Sequence, residues 1–223
     1  KGLFDYNKVT FGIEMEKFTK IYSIHMNKPE FIINQFDSFY KFFVGKYQLI
    51  IVNNARTPQL RQQINLTCNN LQLEVIQTYS DVPFSLSGKH HADALNYIWQ
   101  NYACKDKELF VVVDGDLFLL DKFDINKHME DFIISGAPQH RKGVEYLTPI
   151  ITLIDLDKMP SKEQLDWEGC CVNGTFLDTG GGFFNFFKKY PHVKEKVKLI
   201  TQTHHITKLN NNLHLLPSQV RKT

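Results

Sequence analysis

The sequence predicts an α/β fold, with helices packed on both faces of a central, mostly parallel β-sheet. Three observations carry that expectation. The strand-like runs are apolar almost without interruption, as strands covered on both faces must be. They alternate along the chain with amphipathic helical segments, the order that parallel strands and crossover helices require. The chain has 223 residues, 43% of them hydrophobic and 13% aromatic, which is apolar surface enough to fill one such core without staples.

The elements follow in order. Ile21 to Met26 reads as a strand, and Lys28-Pro29-Glu30 opens a helix in which Phe31, Ile32, Phe36, Phe39, Tyr40 and Phe43 recur at helical spacing. Tyr47 to Val52 is a second strand, ending in Asn53-Asn54 before a helix-compatible stretch from Thr57 to Cys68. Leu71 to Tyr79 gives a third strand. After the turn-rich Ser80 to Ser87, His90 to Tyr102 reads as a helix with Ala94, Leu95, Ile98 and Trp99 facing inward. Leu109 to Val113 is the fourth strand. Beyond residue 130 the alternation fades. Ile133 to Pro138 and Pro149 to Leu156 read as strands, Gly180 to Tyr190 as a glycine turn entering an aromatic helix, and Leu213 to Leu216 as a last short strand. With neither repeat nor linker, residues 1–223 read as a single domain, and a start at Lys1 reads as a piece of a longer chain, possible fusion partners included.

Composition excludes several functions. The net charge is +2 and the basic residues are scattered, so nucleic acid is not an expected partner. Every apolar run stops well short of the roughly 20 residues of a membrane helix, and residues 1–20 lack the pattern of a signal peptide. Cys68, Cys104, Cys170 and Cys171 show neither metal-type spacing nor a disulfide framework, which fits reduced thiols and a cytoplasmic location. The abundance of Lys, Asn, Ile and Phe is that of an AT-rich genome; were the source viral, the location would be the host cytoplasm. Asn65-Leu66-Thr67 and Asn173-Gly174-Thr175 match a glycosylation pattern short enough to arise by chance.

Ligands of parallel sheets bind beyond the carboxyl ends of the strands. Those ends read His25-Met26-Asn27, Asn53-Asn54, Ser80-Asp81 and Asp114-Gly115-Asp116. The last is the strongest signal. Asp114 and Asp116 can converge on a hard cation, Gly115 lets the backbone turn tightly between them, and a diphosphate bridged to that cation would have its charge neutralised.

In this D-x-D context the chain resembles the glycosyltransferases of the GT-A type, whose nucleotide-binding half is an alternating α/β sheet carrying such a motif after its fourth strand. The resemblance runs from about Ile21 to about Pro217 and implies a GT-A-like sandwich, with residues 21–116 as the nucleotide-sugar-binding half and 117–217 as the acceptor side. It implies Mn2+ or Mg2+ as cofactor and a nucleotide-sugar donor, a UDP-sugar in the first instance. The implied acceptor is a carbohydrate or a protein-linked glycan. By the same resemblance His25 and Asn54, with Asn53 as second choice, hold the base and ribose. Lys89 and His91 then approach the sugar or diphosphate, and Asp93 the sugar. A late histidine, His204 or His205, joins the metal.

In Phe176-Leu177-Asp178-Thr179-Gly180-Gly181-Gly182 the glycines allow close backbone approach to a ligand. The resemblance makes Asp178 the candidate general base or acceptor anchor, with Glu168 its rival, and Trp167 is a ring that could stack on a sugar. Asp178 also suits a helix N-cap. Two competing functions remain on the sequence. A nucleotidyltransferase would carry a glycine-rich loop after the first strand, where this chain has His25-Met26-Asn27-Lys28-Pro29. A non-catalytic carbohydrate-binding or scaffolding domain would keep the fold without metal dependence.

Overall fold

The computed structural model describes residues 19–80 and 87–200, and the backbone of 206–209 and 212–215. β1 (Thr19–His25) leads to α1 (Glu30–Phe42), β2 (Phe43–Val44), β3 (Tyr47–Asn53), α2 (Pro58–Asn70) and β4 (Glu74–Gln77). Then come α3 (Ser87–Asn101), β5 (Leu109–Asp114), β6 (Phe123–Asp124), α4 (Ile125–Met129), β7 (Ile134–Arg141) and β8 (Val144–Asp155). The chain continues through β9 (Cys170–Val172), β10 (Thr175–Leu177), α5 (Gly182–Lys189), α6 (Pro191–Lys194) and β11 (Val197–Leu199). β12 (Ile206–Leu209) and β13 (Asn212–Leu215) pair only with each other among the described elements.

The central sheet has seven strands in the order β11-β7-β8-β5-β1-β3-β4. All pairings are parallel except those of β8, which runs against both its neighbours. Alternation along the strands divides the core. Tyr22, Ile24, Ile50, Val52, Phe110 and Val112 pack on one face with Leu95, Ile98 and Trp99 of α3 and the phenylalanines of α5. Ile21, Leu49, Ile51, Val111 and Val113 pack on the other with Ile32 and Phe39 of α1, Ile64 and Cys68 of α2 and Met129 of α4. The expected helix-covered, mostly parallel α/β sheet is what the chain forms. Among the described residues no helix is long and apolar enough to cross a membrane.

The chain passes from β1 outward through β3 to β4, then returns to place β5 on the other side of β1. The connections therefore diverge between β1 and β5, with Ile24 in register with Asp114. In doubly wound sheets a crevice opens outside the carboxyl ends of the strands at such a point.

Several boundaries differ from the sequence expectation for local reasons. The third strand shrinks to Glu74–Gln77 because Leu71 caps α2 and Gln72 takes φ 56°, a left-handed turn. Phe43 leaves α1 to start β2, paired with β6. β8 begins at Val144 rather than Pro149, since the register with β7 jumps from Thr148 to Thr152 and the proline falls where no amide is needed on that side. The turn Lys142-Gly143 has both φ angles positive, as does Asn173-Gly174. Asn173-Gly174 joins β9 and β10, so its stronger message was a two-residue hairpin rather than a glycosylation signal.

Trp167 is the clearest correction. It is fully buried, edge-on to Trp99 at 5.8 Å and to Phe183 at 5.1 Å, so no face remains to stack on a sugar. Large flat rings fill the thick layer between α3, α5 and the sheet, and that burial outweighs the polar sequence around this one. Its indole Nε1 has no hydrogen-bond partner, whereas Trp99 donates to the Lys162 carbonyl at 2.9 Å. Trp167→Ala is expected to cost about 3–5 kcal/mol in denaturant unfolding. Trp167→Phe should cost less than about 1.5 kcal/mol, because the lost volume is partly offset by removing an unpaired donor.

Candidate functional site

A cleft of about 310 Å³ opens at the divergence of β1 and β5. Its walls are the His25–Lys28 loop after β1, His91 of α3, and Asp114, Gly115 and Asp116 after β5. The acidic turn closes through Leu117 N donating to the Asp114 carbonyl at 3.0 Å, and Gly115 N continues the sheet by donating to the Ile24 carbonyl at 3.0 Å. Gly115 has no left-handed backbone. Its requirement is space: an added Cβ would lie 2.7 Å from His25 Nδ1 and 2.8 Å from the Ile24 oxygen.

The two carboxylates thus face one cleft. Burial holds the Asp114 carboxyl above the ordinary carboxylate range, His91 opposes that rise, and the charge of Asp116 adds to it. His91 Nε2 is 3.3 Å from Asp114 Oδ1. Such a site favours an added positive group, and two carboxylates completed by phosphate and water oxygens suit Mg2+ or Mn2+. Among the described residues no three His, Cys, Asp or Glu side chains form a self-sufficient metal cage. A cation held by Asp114 and Asp116 would need further ligands beyond these side chains.

His25 is 3% exposed, and its Nε2 lies 3.0 Å from Ser23 Oγ and 3.2 Å from Gln35 Oε1. Burial lowers its pKa to about 4, with Gln35 and Asp116 opposing. Proton uptake is disfavoured in the folded state, so its contribution to stability is complete above about pH 6.5 and lost as pH falls toward 4. Since 6.5 − 4 is about 2.5 pKa units, the loss is about 3 kcal/mol. Burial lowers His90 and His128 as well, which adds loss of the same sign. Urea midpoints from pH 7.5 to 4.5 should fall steeply in the wild type and less steeply in His25→Asn.

The remaining expected site residues divide into groups. Asn54 is buried, donating to the His90 carbonyl at 3.2 Å and accepting from Thr78 at 3.0 Å. Asn53 donates to the Arg61 carbonyl and to Asn65. Both tie strand ends together, and neither is in the cleft wall. Lys89 Nζ meets Glu168 Oε1 at 2.7 Å and Asp93 Oδ1 at 3.4 Å, and Asp93 also accepts from Ser80. These three form a charged cluster at the start of α3, with Lys89 and Asp93 each two residues, about half a helical turn, from His91. Asp178 is bound by the Arg141 guanidinium and, at 2.7 Å, by the Tyr146 hydroxyl. Burial and then this carboxylate push the Tyr146 phenol up to about 12. Asp178 does not cap α5 with its side chain. His204 and His205 lie outside the described residues.

The glycine run packs closely against the protein's own backbone. Cβ atoms on Gly180 and Gly182 would collide with the Leu147 and Asp166 carbonyls, and Gly180 has φ 91°. Thr179 donates to the Gly88 carbonyl at 2.7 Å, fixing this loop to the start of α3. Because Trp167 points inward, Asp166 and Glu168 point outward. They line a second groove of about 200 Å³ with Asn185, Phe186 and Tyr190. Gln35 and this groove were missed in the sequence. The available signal for Gln35 was an amide in register with the apolar stripe Ile32, Phe39.

No family model matches the chain, and no curated protein matches it in sequence. Among solved structures it is similar to the mannosyltransferase PcManGT from Pyrobaculum calidifontis in complex with GDP-Man and Mn2+, at 11% identity and TM-score 0.41 over 61% of this chain. It is similar to the bifunctional glycosyltransferase WbbM in its apo form, at 10% identity and TM-score 0.49 over 84% of this chain. It is also similar to the mannosyltransferase Ktr4p from S. cerevisiae, at 9% identity and TM-score 0.43 over 69%. The chain spans 44%, 39% and 61% of those chains, respectively.

Proposed function

We propose that the chain is a glycosyltransferase domain of the GT-A type, moving a sugar from a nucleoside diphosphate sugar to an acceptor hydroxyl. The observation that carries this reading is the placement of Asp114 and Asp116 in one cleft at the divergence of β1 and β5. Asp114 and Asp116 would hold Mn2+ or Mg2+, which supplies charge neutralisation for the diphosphate leaving group. Lys28, in the same walls, adds positive charge, and His91 offers an imidazole that can hydrogen-bond a ligand. His25 and the loop after it face the nucleoside, a uridine in the first instance. The late histidines, His204 or His205, are retained as further metal ligands.

The second groove is assigned to a carbohydrate acceptor, since the Asp166 and Glu168 carboxylates beside the half-buried ring of Tyr190 suit a hydroxyl-rich ligand. Glu168 lines this groove and is bonded to Lys89 at the start of α3. It is assigned as the general base of an inverting transfer. Its carboxylate takes the acceptor hydroxyl proton as that oxygen bonds to the anomeric carbon, and the carbon–oxygen bond to the diphosphate breaks. Asp178, held by Arg141 and Tyr146, anchors the acceptor-side loop instead. Glu168→Gln is expected to lower kcat about 10²-fold with the donor Kd nearly unchanged, by calorimetric titration beside turnover.

The reading is tested by incubating the protein with UDP-, GDP-, ADP- and TDP-sugars and Mn2+ and following release of nucleoside diphosphate. Release from one donor that stops with EDTA supports it. Release indifferent to EDTA, or none from any donor with simple sugars as acceptors or with water, counts against it.

A further inference from the structure

Gln35 is fully buried on the inward stripe of α1, between Ile32 and Phe39. An amide buried there without partners would cost several kcal/mol. Each of its atoms is engaged. Nε2 donates to the Asp114 carbonyl at 3.0 Å and to the Leu117 carbonyl at 2.9 Å, spanning the acidic turn from end to end. Oε1 accepts from Ser23 Oγ at 2.5 Å and lies 3.2 Å from His25 Nε2. Ser23 and His25 reach it because they alternate with Tyr22 and Ile24 along β1 and so face α1.

The donor inventory then fixes the protons. Carbonyl oxygens only accept, so the amide cannot be flipped and Oε1 must face β1. The one proton of Ser23 goes to Oε1. His25 Nε2, beside Oε1 and a hydroxyl oxygen that has spent its proton, must therefore carry a hydrogen. Neutral imidazole has one N–H, so Nδ1 is bare. That nitrogen lies on the ring edge beside Gly115, where the cleft wall passes.

We propose that Gln35 is the positioning residue of the acidic cleft, its single carboxamide both clamping the Asp114–Leu117 turn and locking His25 in the Nε2–H tautomer, so that Nδ1 presents an acceptor lone pair. The matching ligand group is a hydrogen-bond donor, an imide N–H of a base or a ribose hydroxyl. This last step rests on the transferase reading; the clamp and the tautomer do not.

The test is a long-range ¹⁵N–¹H spectrum of the labelled protein at pH 7.5, with His25 assigned by its absence in His25→Asn. The wild type should show the Nε2–H form of His25 in more than about tenfold excess over the other tautomer. Gln35→Met, which keeps length and removes every polar contact, should bring that ratio below about threefold and shift the backbone amide signals of Gly115 and Asp116. The same variant should weaken Mn2+ binding in the presence of UDP about tenfold, by electron paramagnetic resonance, as a loosened turn requires. An Nδ1–H tautomer in the wild type, readable even if Gln35→Met fails to fold, would overturn the proposal. So would a folded Gln35→Met with unchanged tautomer and amide signals. If the wild type binds no Mn2+ with UDP, the choice of a uridine donor falls, while the tautomer and amide signals still decide the clamp.

Discussion

Asp116→Ala is expected to lower kcat/KM about 10³-fold or more, equivalent to about 4 kcal/mol of lost transition-state stabilisation. Asp116 is exposed at the cleft mouth, so its removal takes away the proposed cation ligand without opening a cavity. Its charge also raises the Asp114 pKa, so the variant relieves a repulsion. Folding stability should stay level or rise slightly while turnover collapses. That divergence, read by denaturant midpoints beside donor turnover, separates a site carboxylate from a structural one. Turnover within about threefold of wild type would remove Asp116 from the machinery.

Gly115→Ala is expected to damage both fold and function. The added methyl would meet His25 Nδ1 at 2.7 Å and the Ile24 carbonyl at 2.8 Å. An imidazole held by two hydrogen bonds and a carbonyl within a paired strand cannot both retreat, so the turn between the aspartates must move. Overpacking of this kind costs about 1–3 kcal/mol, and displacing the carboxylates by about 1 Å costs about 10²-fold in turnover. The combination of a lower denaturant midpoint and slower transfer distinguishes it from Asp116→Ala. A variant with wild-type stability and rate would show that the turn has room the geometry denies it.

The sheet was legible because β1, β3 and β5 are continuous apolar runs and α1 and α3 carry unbroken inward stripes. The acidic turn was legible because it follows such a run directly. The antiparallel β8 was hidden by Pro149, which reads as a strand start but sits in a register break. Trp167 was misread because its neighbours Asp166 and Glu168 are polar, while alternation sends it alone inward to the aromatic layer. The glycine run beyond Asp178 read as ligand space, yet close backbone packing makes the same demand. Asp178 kept its position but acquired partners, Arg141 and Tyr146, that only the β7–β8 hairpin brings near. Gln35 acts across 79 residues of sequence on Asp114, and no local pattern reports a contact of that span.

The acidic cleft is proposed to bind a nucleoside diphosphate sugar through a shared cation. Thermal unfolding with a donor panel, each donor with Mn2+ and with EDTA, tests it most directly. A donor at about 100 times its Kd adds about 2.7 kcal/mol to the folded state, or about 5–10 °C for a chain of this size. Such a rise is expected for one nucleotide class, present with Mn2+, absent with EDTA and absent in Asp116→Ala. No rise for any donor, or one that survives both EDTA and the loss of Asp116, would contradict it.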